Sequence, residues 1–210
     1  MVRTAKRAVT LNRFTSLPIA VDVLYRKRIT LLTPDFWEDE NDAYYLKRYR
    51  EKKSFRCVLA ICFAGRRETF HHWRVFSHGT AGVCLEFDKE KLLLSFAGKT
   101  GFRNDEVTYR FVDEVEKDTP RLATWPFLKR KAFEDEGEFR IIYESKSEDL
   151  SSKHVQIDLA AVRKVTLSPW LPESVAESVT DIIKGIEGCE GIHVNRSSLI
   201  HNSRWRKAID

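Results

Sequence analysis

An unbroken apolar segment in the first third of the chain limits most strongly what it can fold into. The unbroken apolar run covers residues 57–63, and the strand that it predicts covers residues 55–64. That length suits a β-strand and is far short of the roughly 20 apolar residues that a membrane helix needs. A continuous apolar strand is buried on both of its faces. The segment therefore predicts one central, fully covered strand.

The composition favours one folded domain. The chain has 210 residues, 42% of them hydrophobic, and 9 Gly and 6 Pro are too few for a collagen-like or linker-rich protein. Lys and Arg number 36 against 31 Asp and Glu, a formal charge of +5. This mild excess allows an anionic ligand such as a dinucleotide or RNA and is not typical of a histone-like protein. We predict a basic leader over residues 1–10 and a single α+β domain over residues 11–210.

The N-terminus and the cysteines indicate a cytoplasmic protein. Residues 1–10 are basic, without the apolar stretch of a secretory signal. The four cysteines lack the paired spacing of a zinc ribbon, and three lie inside apolar runs; they are Cys57, Cys62, Cys84 and Cys189. We expect reduced cysteines, most of them in the core, and no membrane attachment.

Hydrophobic periodicity and turn residues predict a strand-rich order of elements. The expected strands cover residues 11–16, 29–33, 55–64, 82–87, 107–112, 138–144, 155–159, 162–167 and 192–194. Helices are expected over residues 18–27 and 172–184, and around Tyr45 and Tyr49 with Asn41 or Asp42 as the N-cap. Residues 120–131 are expected to form a loop leading into a helix.

Two carboxylates and an arginine recur at every second position near residue 138. On a strand, Glu136, Glu138 and Arg140 share one face. Adjacent carboxylates raise each other's pKa, and a neighbouring Arg restrains that rise. Such a row can bind hydroxyls and stabilise developing positive charge. The alternative is a solvated strand face with a surface salt bridge that contributes little.

An aromatic segment after the apolar strand offers a second candidate site. Trp73 and Phe76 present flat faces for a base or a nicotinamide ring, and His72 or Arg74 could contact a phosphate. The alternative is core packing of the two rings, which a spacing of three on a helix predicts. His71 and His72 are adjacent and project in different directions, so they are poor joint metal ligands.

An acidic cluster precedes the helix around Tyr45, and its members are Glu38, Asp39, Glu40 and Asp42. Paired acids can hold Mg²⁺ for phosphodiester hydrolysis. Acids at a helix N-terminus are also favoured by the helix dipole, which explains the cluster without a metal. We expect no metal. The chain also lacks a P-loop, a G-x-G-x-x-G fingerprint and a G-x-S-x-G elbow, so kinase, Rossmann and α/β-hydrolase functions are not indicated.

Three blocks of motifs follow one another along residues 11–200. The first block consists of residues 11–17, residues 29–34 and Trp37-x-Asp39-x-Asn41-Asp42. The second consists of Cys62-Phe63, His72-Trp73-x-x-Phe76 and Gly82-Val83-Cys84-x-x-Phe87. The third is Glu136-x-Glu138-x-Arg140. In this order they resemble a bacterial family of domains of unknown function that is found among phage-defence and toxin genes. The opening strand–helix–strand is in turn similar to that of ADP-ribosyltransferases.

The resemblance implies a fold, a substrate and partners. The fold is α+β, a split mixed or antiparallel sheet with flanking helices, as in ADP-ribosyltransferases. The implied activity is that of an NAD-dependent ADP-ribosyltransferase-like or NAD-cleaving bacterial toxin or phage-defence effector, with NAD as a substrate. The acceptor would be a nucleic acid or a protein. A regulator or antitoxin from the same operon and a homodimer are further expectations.

The resemblance also assigns roles to residues. Glu138 takes the position of the catalytic acid that stabilises the oxocarbenium ion, and Glu136 orients the acceptor. Arg13 and the nearby hydroxyl of Thr15 hold the adenosine side of NAD. The full set of expected NAD-binding residues is Arg13, Phe14, Thr15, Trp73, Phe76 and Arg140. Residues 62–64 stand where the family carries a Ser-Thr-Ser or Tyr motif, and they contain no hydroxyl.

The leading hypothesis requires Arg13 and Glu138 to face each other across one cleft. On this hypothesis Glu138→Gln abolishes NAD turnover and leaves the melting temperature nearly unchanged. Two alternatives stay open. One is a metal-dependent nuclease-like effector that uses Glu38, Asp39 and Asp42. The other is a non-catalytic nucleotide- or nucleic-acid-binding module that binds through the basic tail, residues 204–207.

Overall fold

Two compact units make up the chain, and each is assembled from separate segments. The structure, a computed structural model, describes residues 9–77 and 79–209. The first unit takes the described residues of Met1–Arg28, Arg67–Ser95 and Gln156–Asp210, and the second takes Ile29–Arg66 and Phe96–Val155. Most of the predicted basic leader, residues 1–8, lies outside the described residues.

Strands and helices are mixed along the chain, which confirms the predicted α+β class. The strands are β1 Thr10–Ser16, β2 Arg28–Leu32, β3 Cys57–Ala64, β4 Gly82–Asp88, β5 Phe102–Glu106, β6 Thr108–Arg110, β7 Leu128–Arg130, β8 Glu138–Ser145, β9 Ser152–Gln156, β10 Val162–Leu167 and β11 His193–Arg196. The α-helices are α1 Leu17–Arg26, α2 Glu40–Lys53, α3 Phe70–Phe76, α4 Lys89–Leu94, α5 Val112–Lys117, α6 Glu173–Lys184 and α7 Ser203–Arg206. Short 3₁₀ helices occupy Pro34–Phe36, Gly79–Ala81, Leu122–Phe127, Lys131–Glu136 and Leu159–Ala161.

The first unit contains a mixed sheet with helices against it. Its strands run in the order β11-β10-β4-β1. The β10–β11 pair is parallel, whereas β4 pairs antiparallel with both β1 and β10. Helix α1 starts with a proline in its first turn and ends at Arg26, and the C-cap Lys27 after it adopts the left-handed conformation with φ 52°. The mixed sheet with flanking helices agrees with the predicted fold class.

The second unit is organised around β8. Strands β3 and β5 pair antiparallel with its two edges, and β2 pairs antiparallel with β3. Strand β3 is buried along its length except at Cys62, which is partly buried, so the prediction of a fully covered apolar strand is confirmed in all but one position. A separate two-stranded parallel sheet joins β6 to β7.

Helix α2 packs against this second sheet through one face. Leu46 and Tyr49 lie in a core cluster with Val58, Ala60, Phe127 and Ile142. Asp42 lies four residues before Leu46 and therefore on the same face of the helix. It is 4% exposed, so the packing of α2 carries a carboxylate into the interior.

Several predicted elements are wrong in type or position. The strand expected over residues 107–112 is present only as the shorter β6, Thr108–Arg110, because α5 already begins at Val112, and β5 before it was not expected. The loop and helix expected over residues 120–131 form a 3₁₀ helix and β7. The strand expected at residues 155–159 lies earlier, at β9. These strands are short and rich in polar residues, so their position depends on pairing partners that periodicity does not detect.

The cysteines and the helices give two further results. All four cysteines lie in described positions and are free, and three of them are buried. No helix within the described ranges has the length and apolar character needed to cross a membrane.

Candidate active site

A buried arginine forms the centre of a charged cluster at the start of β8. Arg140 is 0% exposed. Its Nε donates to Glu138 Oε1 at 2.7 Å and its Nη2 to Glu138 Oε2 at 3.0 Å. Nη1 and Nη2 donate to the two carboxylate oxygens of Asp42 at 2.9 and 2.6 Å, and Nη1 also donates to the Pro126 carbonyl at 2.8 Å. These five hydrogen bonds match the five N–H donors of a guanidinium.

The position of Arg140 follows from its place on the strand and from its neighbours. Glu138 and Arg140 are two residues apart on β8 and share a face, as the sequence predicts, whereas the prediction that Glu136 lies on the same strand is wrong, because Glu136 ends a 3₁₀ helix. The ring of Trp37 lies 4.8 Å from Arg140 Cζ. A buried charge is tolerated when it is paired and hydrogen-bonded, and the carboxylates of Glu138 and Asp42 meet that condition.

Lys129 on β7 brings a second cation to the cluster. Its side chain is 8% exposed, and its Nζ lies 2.6 Å from Glu136 Oε2. The same Nζ lies 3.5 Å from Glu138 Oε2 and 3.8 Å from Asp42 Oδ2. One ammonium group therefore lies within 4 Å of three carboxylates. The ring of Phe133 is 4.8 Å from the same nitrogen.

A left-handed glycine separates the two glutamates. Glu136 ends the 3₁₀ helix Lys131–Glu136, and Gly137 has φ 52° before Glu138 begins β8. A Cβ at Gly137 would lie 2.7 Å from Cγ of Arg66. Glycine is the residue that adopts this conformation at least cost. The turn at Gly137 therefore fixes how the Glu136 backbone leads into Glu138.

Tyr109 on β6 holds the backbone at the same place. Its hydroxyl oxygen accepts a hydrogen bond from the backbone N–H of Glu138 at 2.8 Å. Burial raises the pKa of Tyr109 to about 12, so the phenol stays protonated at physiological pH.

The pKa values of the two glutamates are shifted in opposite directions. Burial by itself would raise the pKa of Glu138, but Arg140 and Lys129 outweigh it and lower the pKa to about 2. Burial raises the pKa of Glu136 above its ordinary value, and Lys129 opposes that rise. Glu138 is therefore ionised at any physiological pH, whereas Glu136 titrates above the ordinary range of a glutamate.

The interpretation of this row as a solvated strand face is wrong. Glu136 and Glu138 are each 6% exposed, and Arg140 is fully buried. The reason is that Asp42 of α2, the Pro126 carbonyl and the ring of Trp37 lie against Arg140 on this face of β8. The sequence shows the spacing of the three residues but not which layer covers them.

Two members of the acidic cluster, Asp39 and Asp42, have structural partners. Asp39 is the N-cap of α2, in place of the predicted Asn41 or Asp42, because its Oδ1 accepts from the backbone N–H groups of both. Asp42 is paired with Arg140. In the part of the chain that the structure describes, no three or more His, Cys, Asp or Glu side chains form a group able to hold a metal ion.

The predicted residues on β1 lie in the first unit. Arg13 and Thr15 share one face of the strand, and Phe14 lies on the opposite face. The ring of Phe14 stacks on His72 at 5.0 Å and meets Trp73 edge-on at 5.2 Å. Phe14 and Thr15 are buried, whereas Arg13 is partly buried.

The two aromatic candidates on α3 differ in exposure. Trp73 is 0% exposed, in agreement with the core-packing alternative, and its indole N–H donates to Glu68 Oε2 at 2.8 Å. The same Glu68 oxygen accepts from the Ser197 hydroxyl at 2.7 Å. Phe76 is partly buried, with its ring 6.2 Å from that of His72.

The structure thus groups the predicted site residues within two units. Glu136, Glu138 and Arg140 lie together in the second unit. The residues Arg13, Phe14, Thr15, Trp73 and Phe76 belong to the first unit. The expectation that Arg13 faces Glu138 across one cleft stays a prediction, as do the NAD-binding roles.

The sequence does not indicate that Lys129 and Tyr109 belong to the charged cluster around Arg140, nor that Asp42 pairs with this arginine. Lys129 and Tyr109 lie on short strands without a periodic pattern, so no local signal marks them. For Asp42, the interpretations from sequence are a metal ligand and a helix-terminal acid, and neither includes a buried pair with Arg140. The spacing of Asp42 from Leu46 and Tyr49 places it on the buried face of α2, and that signal could have identified it.

Comparisons with known proteins give distant likenesses to solved structures only. No protein-family model matches the chain, and no curated protein sequence matches it. It is similar to Thermus sp. 2.9 DarT in complex with ADP-ribosylated ssDNA, with a TM-score of 0.47 and 10% identity over 94% of this chain and 98% of that one. For the same protein with NAD+ the TM-score is 0.46, with 8% identity over 92% and 98% of the two chains. For the complex with carba-NAD+ the TM-score is 0.45, with 9% identity over 92% and 97%.

Proposed function

We propose that this chain is an NAD-dependent ADP-ribosyltransferase-like enzyme in which Glu138 is the catalytic carboxylate. The observation that carries the proposal is that hydrogen bonds hold the buried Glu138 carboxylate in one orientation, and its lowered pKa is consistent with an ionised group. Arg140 donates to both of its oxygens, and Tyr109 accepts from its backbone N–H. A fixed negative charge of this kind needs no reorganisation when positive charge develops next to it.

The chemistry uses that charge at the nicotinamide ribose. As the glycosidic bond of NAD breaks, nicotinamide leaves with the bonding electron pair and positive charge builds on the ribose. The Glu138 carboxylate stabilises that charge. The acceptor then forms the new bond to the ribose carbon and releases a proton. Electrostatic stabilisation of a transition state by one fixed group of this kind raises the rate of the reaction roughly 100- to 1,000-fold.

Glu136 is suited to receive the proton of the acceptor. A general base works best when its pKa lies near the working pH, and burial raises the pKa of Glu136 towards that range. Its neighbour Glu138 is held ionised by Arg140. Two carboxylates whose environments separate their pKa values are typical of sites that divide the work between them.

The NAD-binding residues of the proposal are Arg13, Phe14, Thr15, Trp73 and Phe76. Arg13 and Thr15 would hold the adenosine side, and the partly buried ring of Phe76 is the better candidate for stacking, since Trp73 is fully buried. Arg140 takes a different part from the one expected of it. Its N–H donors are used by Glu138, Asp42 and Pro126, so it positions Glu138 and does not bind NAD directly.

The acceptor of the proposed reaction is a nucleic acid or a protein, and the exposed C-terminal segment favours a nucleic acid. Trp205 on α7 is 77% exposed, between Arg204 and Arg206. An exposed aromatic ring flanked by cations can stack on a base and contact phosphates. A toxin or phage-defence role and an operon-encoded antitoxin remain part of the proposal on the resemblance alone.

Free nicotinamide after incubation of the protein with NAD and cell lysate is the measurement that tests the function. Mass spectrometry should detect nicotinamide with the wild type and with Glu134→Gln, a change in an exposed pair with Lys131. Glu138→Asp keeps the negative charge but moves it away from the ribose, because the side chain is one methylene shorter. This variant should release little nicotinamide. No nicotinamide from the wild type, with or without lysate, would refute the proposal.

A further inference from the structure

The two-stranded sheet of β6 and β7 contacts both glutamates of the site. Tyr109 and Lys129 are register partners in this parallel pair. The Tyr109 hydroxyl accepts from the Glu138 backbone, and Lys129 Nζ donates to Glu136 Oε2 at 2.6 Å. The small sheet therefore holds the backbone of one glutamate and the side chain of the other.

We propose that Lys129 is a positioning residue of this site: its ammonium group holds the Glu136 carboxylate beside Glu138 in the orientation in which Glu136 accepts the proton of the acceptor. This inference rests on the proposed function and adds a residue to it. Lys129 acts through Glu136 and has no role in bond breaking.

Geometry distinguishes Lys129 from an ordinary surface lysine. Its side chain is 8% exposed, and those of Glu136 and Asp42 beside it are 8% and 1% exposed. By contrast, Lys131 is 35% exposed and pairs with Glu134, which is 44% exposed. An exposed pair contributes little, whereas a charge-assisted bond between two buried groups fixes both of them.

Charged and titratable groups from four elements act on Glu136. Lys129 lies on β7, Glu138 on β8, Asp42 on α2 and the protonated Tyr109 on β6. Among these, Lys129 favours the ionised form of Glu136, while burial, Glu138 and Asp42 oppose it. Removing the ammonium group leaves the opposing effects in place, so Glu136 should then require a higher pH to ionise.

The experiment compares K129M and K129R with the wild type and with the control K131M. The kcat of K129M should be lower by roughly 100-fold, which is the lower end of what a general base contributes. The KM for NAD should change little. The acid limb of its pH–rate profile should move to higher pH. K129R keeps the cation and should restore part of the rate and the wild-type profile, and K131M should behave like the wild type.

A second measurement does not depend on turnover. The ¹³C carboxyl resonance of Glu136, identified by its loss in E136Q, can be titrated in the wild type and in K129M. Its midpoint should rise in K129M. If K129M does not fold, K129Q keeps a donor without the charge and serves for the same titration.

The outcomes separate the two proposals. A wild type that releases no nicotinamide refutes the proposed function, while the Glu136 titration still reports on Lys129. An active wild type whose K129M form keeps both its pH–rate profile and its Glu136 midpoint refutes the role of Lys129 and leaves the function standing.

Discussion

Arg140 and Glu138, two residues apart on one strand, are joined by two hydrogen bonds of 2.7 and 3.0 Å. The same guanidinium holds Asp42, which is 98 positions away in the sequence. One buried side chain therefore links α2 to β8 and fixes the carboxylate that we propose as catalytic.

Loss of Arg140 should be costly. Arg140→Met leaves Glu138 and Asp42 buried, with Lys129 at 3.5 and 3.8 Å as the cation near both. Breaking a buried pair in this way costs about 3–5 kcal/mol of unfolding free energy. Urea unfolding should show that loss. Arg163→Met, which removes a 44%-exposed partner of Glu86, should cost less than about 1 kcal/mol. Equal losses for the two variants would contradict the importance of the buried cluster.

Glu138→Gln should lower both activity and stability. Nicotinamide release should fall roughly 100- to 1,000-fold because the negative charge at the ribose is lost. The burial of Glu138 changes the expectation of an unaltered melting temperature, since Arg140 and Lys129 keep their charges but lose one of the carboxylates that surround them. A loss of about 3–5 kcal/mol corresponds to roughly 10 °C for a chain of this size. Calorimetry measures the shift, and an unchanged melting temperature would mean that the ion pair contributes nothing to stability.

The unfolding free energy should depend on pH through Glu138. Its pKa is about 2 in the folded protein against an ordinary 4.5, so the folded state binds this proton less tightly than the unfolded state. The resulting stabilisation is complete above pH 4.5 and is lost as the pH falls towards 2. Its size is about 3 kcal/mol. Denaturation of the wild type and Glu138→Gln over this range should show their difference shrinking as pH falls. A difference that does not vary with pH would count against a lowered pKa.

Gly137→Ala tests whether the turn between the glutamates matters for the reaction. The substitution forces a side chain onto a residue with φ 52° and against Arg66, which should cost about 1–2 kcal/mol. Gly98→Ala is a matched control, since Gly98 has φ 72° and no atom within 4 Å of the added Cβ. Both variants should lose stability, and only Gly137→Ala should lower kcat for nicotinamide release. Equal activity in the two would show that the turn does not position Glu136.

The exposed tail should affect the acceptor and not NAD. Replacing Trp205 by Ala removes a ring that is 77% exposed, so the folded core should be unaffected. Binding of a nucleic-acid acceptor should weaken by roughly the 1–3 kcal/mol that stacking on one base contributes, and modification of that acceptor should fall with it. NAD cleavage in the absence of acceptor should be unchanged. Gel-shift binding and nicotinamide release measure the two effects. Normal binding by this variant would remove the support that the tail gives to a nucleic-acid acceptor.

Local pattern was enough to predict much of the fold. The apolar run of β3, the helices α1 and α6 and the strand β8 follow from periodicity and from Pro and Gly at element ends. The shared face of Glu138 and Arg140 follows from the two-residue period of a strand. These features depend on neighbours along the chain, which a sequence displays directly.

The local sequence is enough to place Glu138 and Arg140 on one face of a strand, whereas their burial and their contacts depend on how the chain folds. Asp42, Lys129 and Tyr109 come from three other elements, and two of these are strands of three residues without periodicity. Burial and the pKa of a carboxylate depend on which groups the fold brings within a few ångströms and on how completely it excludes water. Neither quantity is a property of the local sequence.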